Sequence, residues 1–251
     1  MWPWAAPAAP APWMAPYAAS CRRVQAAAGH GGDRLQTLNR ALALGPPIAL
    51  AAGALRFVAQ QALPAGEAYE SFIARTACVP TRDNAHDAFQ ALVWLAFPAL
   101  KRRINELHAA ELAARGAGPV RGPVRDALTL LDENGALWSP PASLRDALVA
   151  RDWHALFVRH RAAWRDVAPP VLVGHALLDK LVQPRKAITA HVWLLPPGSD
   201  GPAALAGRLS PAALAERPFV ALPVLGVPGW WNANEAAGFY EDRAVFRPPP
   251  G

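Results

Sequence analysis

Hydrophobic residues recur at helical spacing through the middle of the chain and switch to strict alternation near its end. Phe89, Leu92, Val93 and Phe97 predict a helix over Ala85 to Phe97 with that face turned to the core. Asn84 is placed to cap it, Asp87 follows three residues on, and Pro98 marks its end. Lys101 to Ala114 reads as a second, more exposed helix. Ser143 with Asp146 forms a capping-box pattern for a short helix to Ala150. Trp153, Leu156, Phe157, His160 and Trp164 then stripe one face of another helix, and a further one runs from Gly174 to Val182, stopped by Pro184. Ile188, Ala190, Val192 and Leu194 alternate with Thr189, His191 and Trp193, the period of a strand. Phe219 to Val227, apolar and interrupted by Pro, suits an edge strand. Between Ala127 and Trp138, Leu128 to Leu131 lead into Glu133-Asn134-Gly135-Ala136. Asn-Gly favours a two-residue type I′ turn, which predicts a β-hairpin there.

These elements predict an α+β fold: a helix-rich single domain with a β-hairpin and a small sheet. Its expected span is 41–247, preceded by an Ala/Pro-rich, partly disordered segment over 1–40 and followed by a disordered tail over 248–251. The stretch Ala41 to Ala54 is broken by Gly45-Pro46-Pro47 and is too short to span a bilayer. The first residues lack the basic and apolar regions of a signal peptide, so a cytoplasmic, soluble protein with no membrane partner is expected.

Composition sharpens the picture in three places. Hydrophobic residues make up 53% of the chain, enough for a real core, although Ala inflates the figure. The net charge of +6 comes almost entirely from Arg, since the only lysines are Lys101, Lys180 and Lys186. The arginines are interspersed with acids, which argues against a nucleic-acid partner and leaves a small anionic ligand as the better match. Cys21 and Cys78 form no Cys-x-x-Cys unit, so neither a zinc ribbon nor a disulfide framework is expected.

Candidate chemistry gathers in a few short segments. Arg82, Asn84, His86 and Asp87 stand at a helix start, where unpaired N–H groups and the helix dipole favour a phosphate or carboxylate and a neutral imidazole. Arg125-Asp126 and Asp132-Glu133 put carboxylates close enough in sequence to hold a divalent ion or share a proton. His175 and Asp179 are four apart on one helical face, and Thr189 and His191 share a strand face. These give three candidate catalytic residues, His86, Asp126 and His175. The candidate substrate contacts are Arg82, Asn84, Arg125 and Thr189. The candidate ligands of a divalent metal cofactor are His86, Asp87, His175, Asp179 and His191. Each also has a plain structural explanation as a cap, an ion pair or a filled core position. No dinucleotide-binding glycine motif, P-loop, Gly-x-Ser-x-Gly elbow or His-Glu-x-x-His is present, so those enzyme classes have no support.

Taken in order, Phe57-Val58, Tyr69-Glu70, Pro80-Thr81-Arg82, His86 to Phe89, Leu92-Val93-Trp94 and Phe97-Pro98 resemble a proteobacterial family defined by a domain of unknown function, DUF3025. Arg125 to Thr129, Asp132-Glu133-Asn134, Gly174 to Leu177, Thr189-Ala190-His191 and Gly226 to Trp231 continue the resemblance, which covers about 55–247. The chain departs from it at Gln90 and Asp179, where members usually carry Asn and Glu. The resemblance implies a shared scaffold in a bacterial cytoplasm and attaches no reaction. Three functions are therefore carried forward. The first is a hydrolase-like, metal-assisted enzyme acting on a small anionic substrate. The second is a non-enzymatic module for a protein partner, motivated by Trp230-Trp231. The third is nucleic-acid binding through Arg.

Overall fold

The structure, a computed structural model, describes residues 2–4, 11–29, 33–116 and 122–248. A 3-10 turn over Pro12–Tyr17 leads into α1 (Ala18–Ala28) and α2 (Arg34–Ala43). Strands β1 (Ala49–Leu50), β2 (Gly53–Ala54) and β3 (Arg56–Ala59) follow, then α3 (Tyr69–Thr76) and β4 (Cys78–Thr81). Three helices come next, α4 (Ala85–Ala96), α5 (Pro98–Arg115) and α6 (Pro123–Asn134). The remainder is β5 (Gly135–Trp138), α7 (Ala142–Val149), β6 (Val171–Leu172), α8 (His175–Lys180), β7 (Thr189–Leu194), α9 (Gly201–Arg208), α10 (Pro211–Ala215) and β8 (Phe219–Pro223). This is the expected α+β fold, rich in helix, with small sheets.

The main sheet has the order β6-β5-β7-β8, with β5 and β7 parallel and the outer strands antiparallel to them. Alternation along its strands feeds two layers of core. Ala136, Trp138, Ala190, Val192 and Leu222 join one cluster with Phe89, Leu177 and Leu178, while Leu137, Trp193 and Leu195 join another with Leu100, Leu128 and Leu131. The predicted strand over Ile188–Leu194 is β7, and the Pro-interrupted segment is β8 at the sheet's edge. A third cluster gathers Val24, Leu38, Phe57, Ile73, Val79 and Trp94, around the parallel pair β3 and β4 joined by α3.

The hairpin lies elsewhere than expected. Antiparallel β1 and β2 form one over Ala49–Ala54, whereas the residues before Asn134 are the helix α6. Val124, Ala127, Leu128 and Leu131 are all buried, a spacing of one helical face, and Pro123 suits its first turn. A type I′ turn needs positive φ at its glycine, and Gly135 instead has φ −74°. It opens β5 directly from the helix end. A side chain could not follow that path, because a Cβ on Gly135 would lie 2.3 Å from the Leu131 carbonyl oxygen.

Three further expectations change. The N-terminal segment is not loosely extended over residues 11–29, since Trp13, Met14 and Tyr17 are buried in the core and the Tyr17 hydroxyl donates to Leu172 O at 2.6 Å. Those three large side chains supply the burial that an Ala/Pro count conceals. Residues 5–10 and 249–251, also expected to lack order, lie outside the described residues. α5 buries Leu100, Lys101, Ile104, Asn105, Leu107, His108 and Leu112, because it is packed by α3, α6 and α9. The Trp153–Trp164 stripe is divided between a π-helical turn, Ala155–Arg159, and a 3-10 turn, Arg161–Asp166. Among the described residues no helix is long and apolar enough to cross a membrane.

Gly174, just before α8, sets how closely that helix meets the end of α6. Its Cβ would lie 2.5 Å from Glu133 O and 2.6 Å from Asn134 N, both backbone atoms that cannot swing aside. Gly174→Ala is expected to cost about 1–3 kcal/mol, read from urea midpoints against wild type. An unchanged midpoint would mean that the two helices do not meet this closely.

Candidate metal centre

The first half of the site is the start of α4. Asn84, extended before the helix, accepts the Asp87 N–H on its side chain at 2.8 Å, satisfying one of the orphan donors of the first turn. The Asp87 carboxylate, 3% exposed, turns back to accept the Arg82 backbone N–H at 2.7 Å and the Arg82 guanidinium at 3.0 and 3.1 Å. From α2, Arg34 pairs with Asp83 at 2.8 Å and donates to Asn84 O at 2.7 Å. These contacts hold the turn that carries His86.

The second half is the junction of α6, β5 and α8. The Gly135 carbonyl accepts N–H groups from both Val173 and Gly174 at 2.9 Å, tying the lead into α8 to the end of α6. His175, the first residue of α8, is 2% exposed, and its Nδ1 lies 2.7 Å from the Asp132 carbonyl oxygen. A carbonyl can only accept, so Nδ1 carries the proton and Nε2 presents its lone pair. That lone pair faces His86 Nε2 at 3.0 Å, with the rings edge to face at 73°. A carboxylate oxygen of Glu133 is 3.6 Å from the same nitrogen.

Ligand atoms of His86, Glu133 and His175 all lie within 4.8 Å of one another. A tetrahedral zinc with bonds of about 2.1 Å keeps its ligands about 3.4 Å apart. The separations of 3.0 and 3.6 Å fall on either side of that spacing, so one cation fits between the three groups with small side-chain adjustments. With no cation, a proton on His86 Nε2 donated to His175 Nε2 closes the same gap.

The electrostatics favour the ligand form of His175. Burial pushes His175 down to about 4, and Lys101 and His86 add to the fall while Asp132 opposes it. Its imidazole is therefore neutral at pH 7, as a metal ligand must be. Burial, then the neighbouring Asp132, raises the Glu133 carboxyl above its ordinary value. Burial acts on Asp132 in the same upward sense, but Lys101 and His175 overcome it and hold that carboxylate below its usual range. Lys101, only 4% exposed, meets Asp132 Oδ1 at 2.5 Å and sits 5.4 Å above the Trp94 ring. The carboxylate that neutralises Lys101 thus belongs to the residue whose backbone orients His175.

The other candidate residues stand apart from this cluster. The Asp87 carboxylate is engaged by Arg82 and lies outside the three-residue group. Asn84 caps, and the Arg82 guanidinium, with its side chain 58% exposed, is engaged by Asp87. Asp126 lies seven residues before Glu133, about 10 Å along α6, and pairs with Arg217 at 3.4 Å. Arg125, in the same first turn, has its Nε buried with no hydrogen-bond partner. The Thr189 hydroxyl bonds to Ala187 O at 3.2 Å and lines a separate cavity with Arg151 and Arg247. Asp179 and His191 lie outside the three-residue group. His191 Nδ1 is buried without a partner, and burial first, then Lys180, lowers its pKa. Glu133 is the ligand that spacing alone obscures. As a turn residue before Asn-Gly it is grouped with Asp126 and Asp132 as a carboxylate for a divalent ion, whereas on the last turn of a helix it reaches the imidazoles of His86 and His175.

Because His175 has a folded-state pKa of about 4 against 6.5 for a free imidazole, the unfolded chain binds the extra proton between those values. Stability of the metal-free protein is therefore full above about pH 6.5 and declines as pH falls toward 4, by about 3 kcal/mol from this residue. Urea titrations of chelator-treated protein across that interval should show a steeper loss in wild type than in His175→Gln. Parallel curves would show that His175 is not held neutral by burial.

The family model described as a protein of unknown function, DUF3025, matches residues 55–249. No curated protein and no solved structure matches the chain. The matched stretch carries His86, Glu133 and His175 with α4, α6, β5 and α8, while Arg34 of α2 precedes it, and the chain belongs to the DUF3025 family.

Proposed function

We propose that this protein is a divalent-metal-dependent hydrolase of small substrates, with His86, His175 and Glu133 as the metal ligands. The observation that carries the reading is the convergence of two imidazole Nε2 atoms and one carboxylate within 4.8 Å. Three protein ligands leave a fourth position for water, the pattern of catalytic zinc sites, whereas structural sites close with four. Two imidazoles and a carboxylate suit zinc or a neighbouring first-row ion. When bound, such an ion lowers the pKa of water and polarises a carbonyl or phosphoryl oxygen. The chain's own part is to fix the ligand atoms. Asp132 O holds the His175 tautomer, and the caps at Asn84 and Asp87 hold the turn of His86.

The exposed side of the cluster favours an anion. Glu133 is 36% exposed, and Lys180 bonds to the Asn134 side chain at 2.7 Å, close enough to pull the Glu133 pKa down. With a net charge of +6, this is a site suited to a carboxylate or phosphate on the substrate. Free thiols at Cys21 and Cys78 fit a reducing, cytoplasmic setting.

The interaction-module alternative loses its main support. Trp230 is 6% exposed within the core, and Trp231 packs half-buried against the same cluster. The basic stretch at Arg159-His160-Arg161 is likewise no free cationic stripe, since Arg161 is bound by Asn234, Glu235 and Tyr240.

Chelator-treated protein titrated with zinc and with manganese should take up one ion per chain. Glu133→Gln and His86→Ala should each weaken that uptake about 100-fold while the far-UV spectrum stays that of wild type. Ester hydrolysis should return only with the ion. Protein that takes up neither metal, or uptake untouched by both substitutions, would remove this assignment.

A further inference from the structure

The two helices that bring His86 and His175 together also build an apolar cavity of about 300 Å³. Phe89, one turn after His86 on α4, and Leu178, one turn after His175 on α8, line it with Leu181. Residues three apart on a helix share a face, so this wall begins about 5 Å along the helices from the imidazole pair. The opposite wall comes from the N-terminal segment, through Trp4, Trp13 and Met14. Trp4 is held in place by its neighbours, stacking on Trp2 at 5.2 Å and meeting Phe89 at 5.4 Å. Trp2 in turn lies under the Arg34 guanidinium, which also pins the start of α4. Both walls are therefore anchored to the turn that carries His86.

We infer that this cavity is the subsite for the apolar body of the substrate, a medium-length acyl chain whose polar end reaches His86, Glu133 and His175. The inference rests on the proposed metal-dependent reading for the polar end only. Its volume stands at the small end of ligand pockets. A buried aromatic and aliphatic lining rewards each added methylene. The lysine beside the Glu133 helix end suits an anionic head group, so the substrate class is an amphiphile of one short tail and one acidic or acyl head. The wall formed by residues 4, 13 and 14 lies outside the stretch matched by the family, which makes the N-terminal segment the part of the chain that sets tail length.

Calorimetric titration of the full chain with octanoate and with butyrate, before and after zinc loading, tests this. Octanoate should bind the chelator-treated protein about ten-fold or more tighter than butyrate, and zinc should tighten it further. Val182→Trp, at the exposed lip of the cavity, should bring octanoate down to the level of butyrate without changing zinc uptake. Trp4→Ala, by enlarging the cavity, should shift the preference toward dodecanoate. Equal affinity for the two acids would overturn the inference. So would a chain-length preference that both substitutions leave intact, since the acid would then be bound elsewhere. A preference that zinc does not strengthen in a protein that does bind zinc would separate the cavity from the metal centre and overturn it as well. A preference that follows both substitutions in a protein that takes up no zinc supports the subsite and instead sinks the metal reading.

Discussion

The candidate site depends on one hydrogen bond, from His175 Nδ1 to the carbonyl of Asp132. It joins the first residue of one helix to the last turn of another, and it decides which imidazole nitrogen is left to face His86. Everything beneath it serves that approach. Gly174 removes the Cβ that would strike the Glu133 backbone, and Gly135 lets the chain leave α6 straight into the sheet. The Asp132 side chain, meanwhile, is balanced by a buried lysine. A polar junction this deep is costly unless every group is satisfied. Here the Asp132 carbonyl and carboxylate are both engaged, and the Nε2 atoms of His86 and His175 face each other beside Glu133.

Much of this arrangement was legible in the sequence, and the parts that were not have a common cause. His86 and His175 stand at helix starts that their flanking residues advertise, Asn84 and Asp87 for one and Gly174 for the other. Strand β7 showed in the alternation of Ile188 to Leu194. The pairing of Glu133 with the two imidazoles, and the burial of Lys101, are not visible locally, because each depends on a helix whose covered face the local sequence does not show. Asn134-Gly135 looks locally like a turn, yet the buried stripe Val124, Ala127, Leu128 and Leu131 outweighs that pair. Lys101 sits on a helix whose charges suggest exposure, and only tertiary packing by α3, α6 and α9 shows which side is covered. Local signals place the first residue of an element well. They say little about its covered face when neighbours on several sides compete for it.

The N-terminal residues make the same point from the opposite direction. Ala and Pro dominate the composition of the opening stretch, but three large side chains determine what it does. Trp13, Met14 and Tyr17 are each less than 10% exposed, and Tyr17 reaches across to β6 with its hydroxyl. Composition averages over residues, whereas burial is decided one side chain at a time. The segment is consequently a structural wall of the domain.

The imidazole pair spans 89 positions of chain, and Glu133 comes from a third element between them. No fragment ending before α8 can assemble it, however well its own helices form. During synthesis the three groups therefore stay strangers until about seven-tenths of these 251 residues have been made. Strands β7 and β8, which complete the main sheet, are made only after all three.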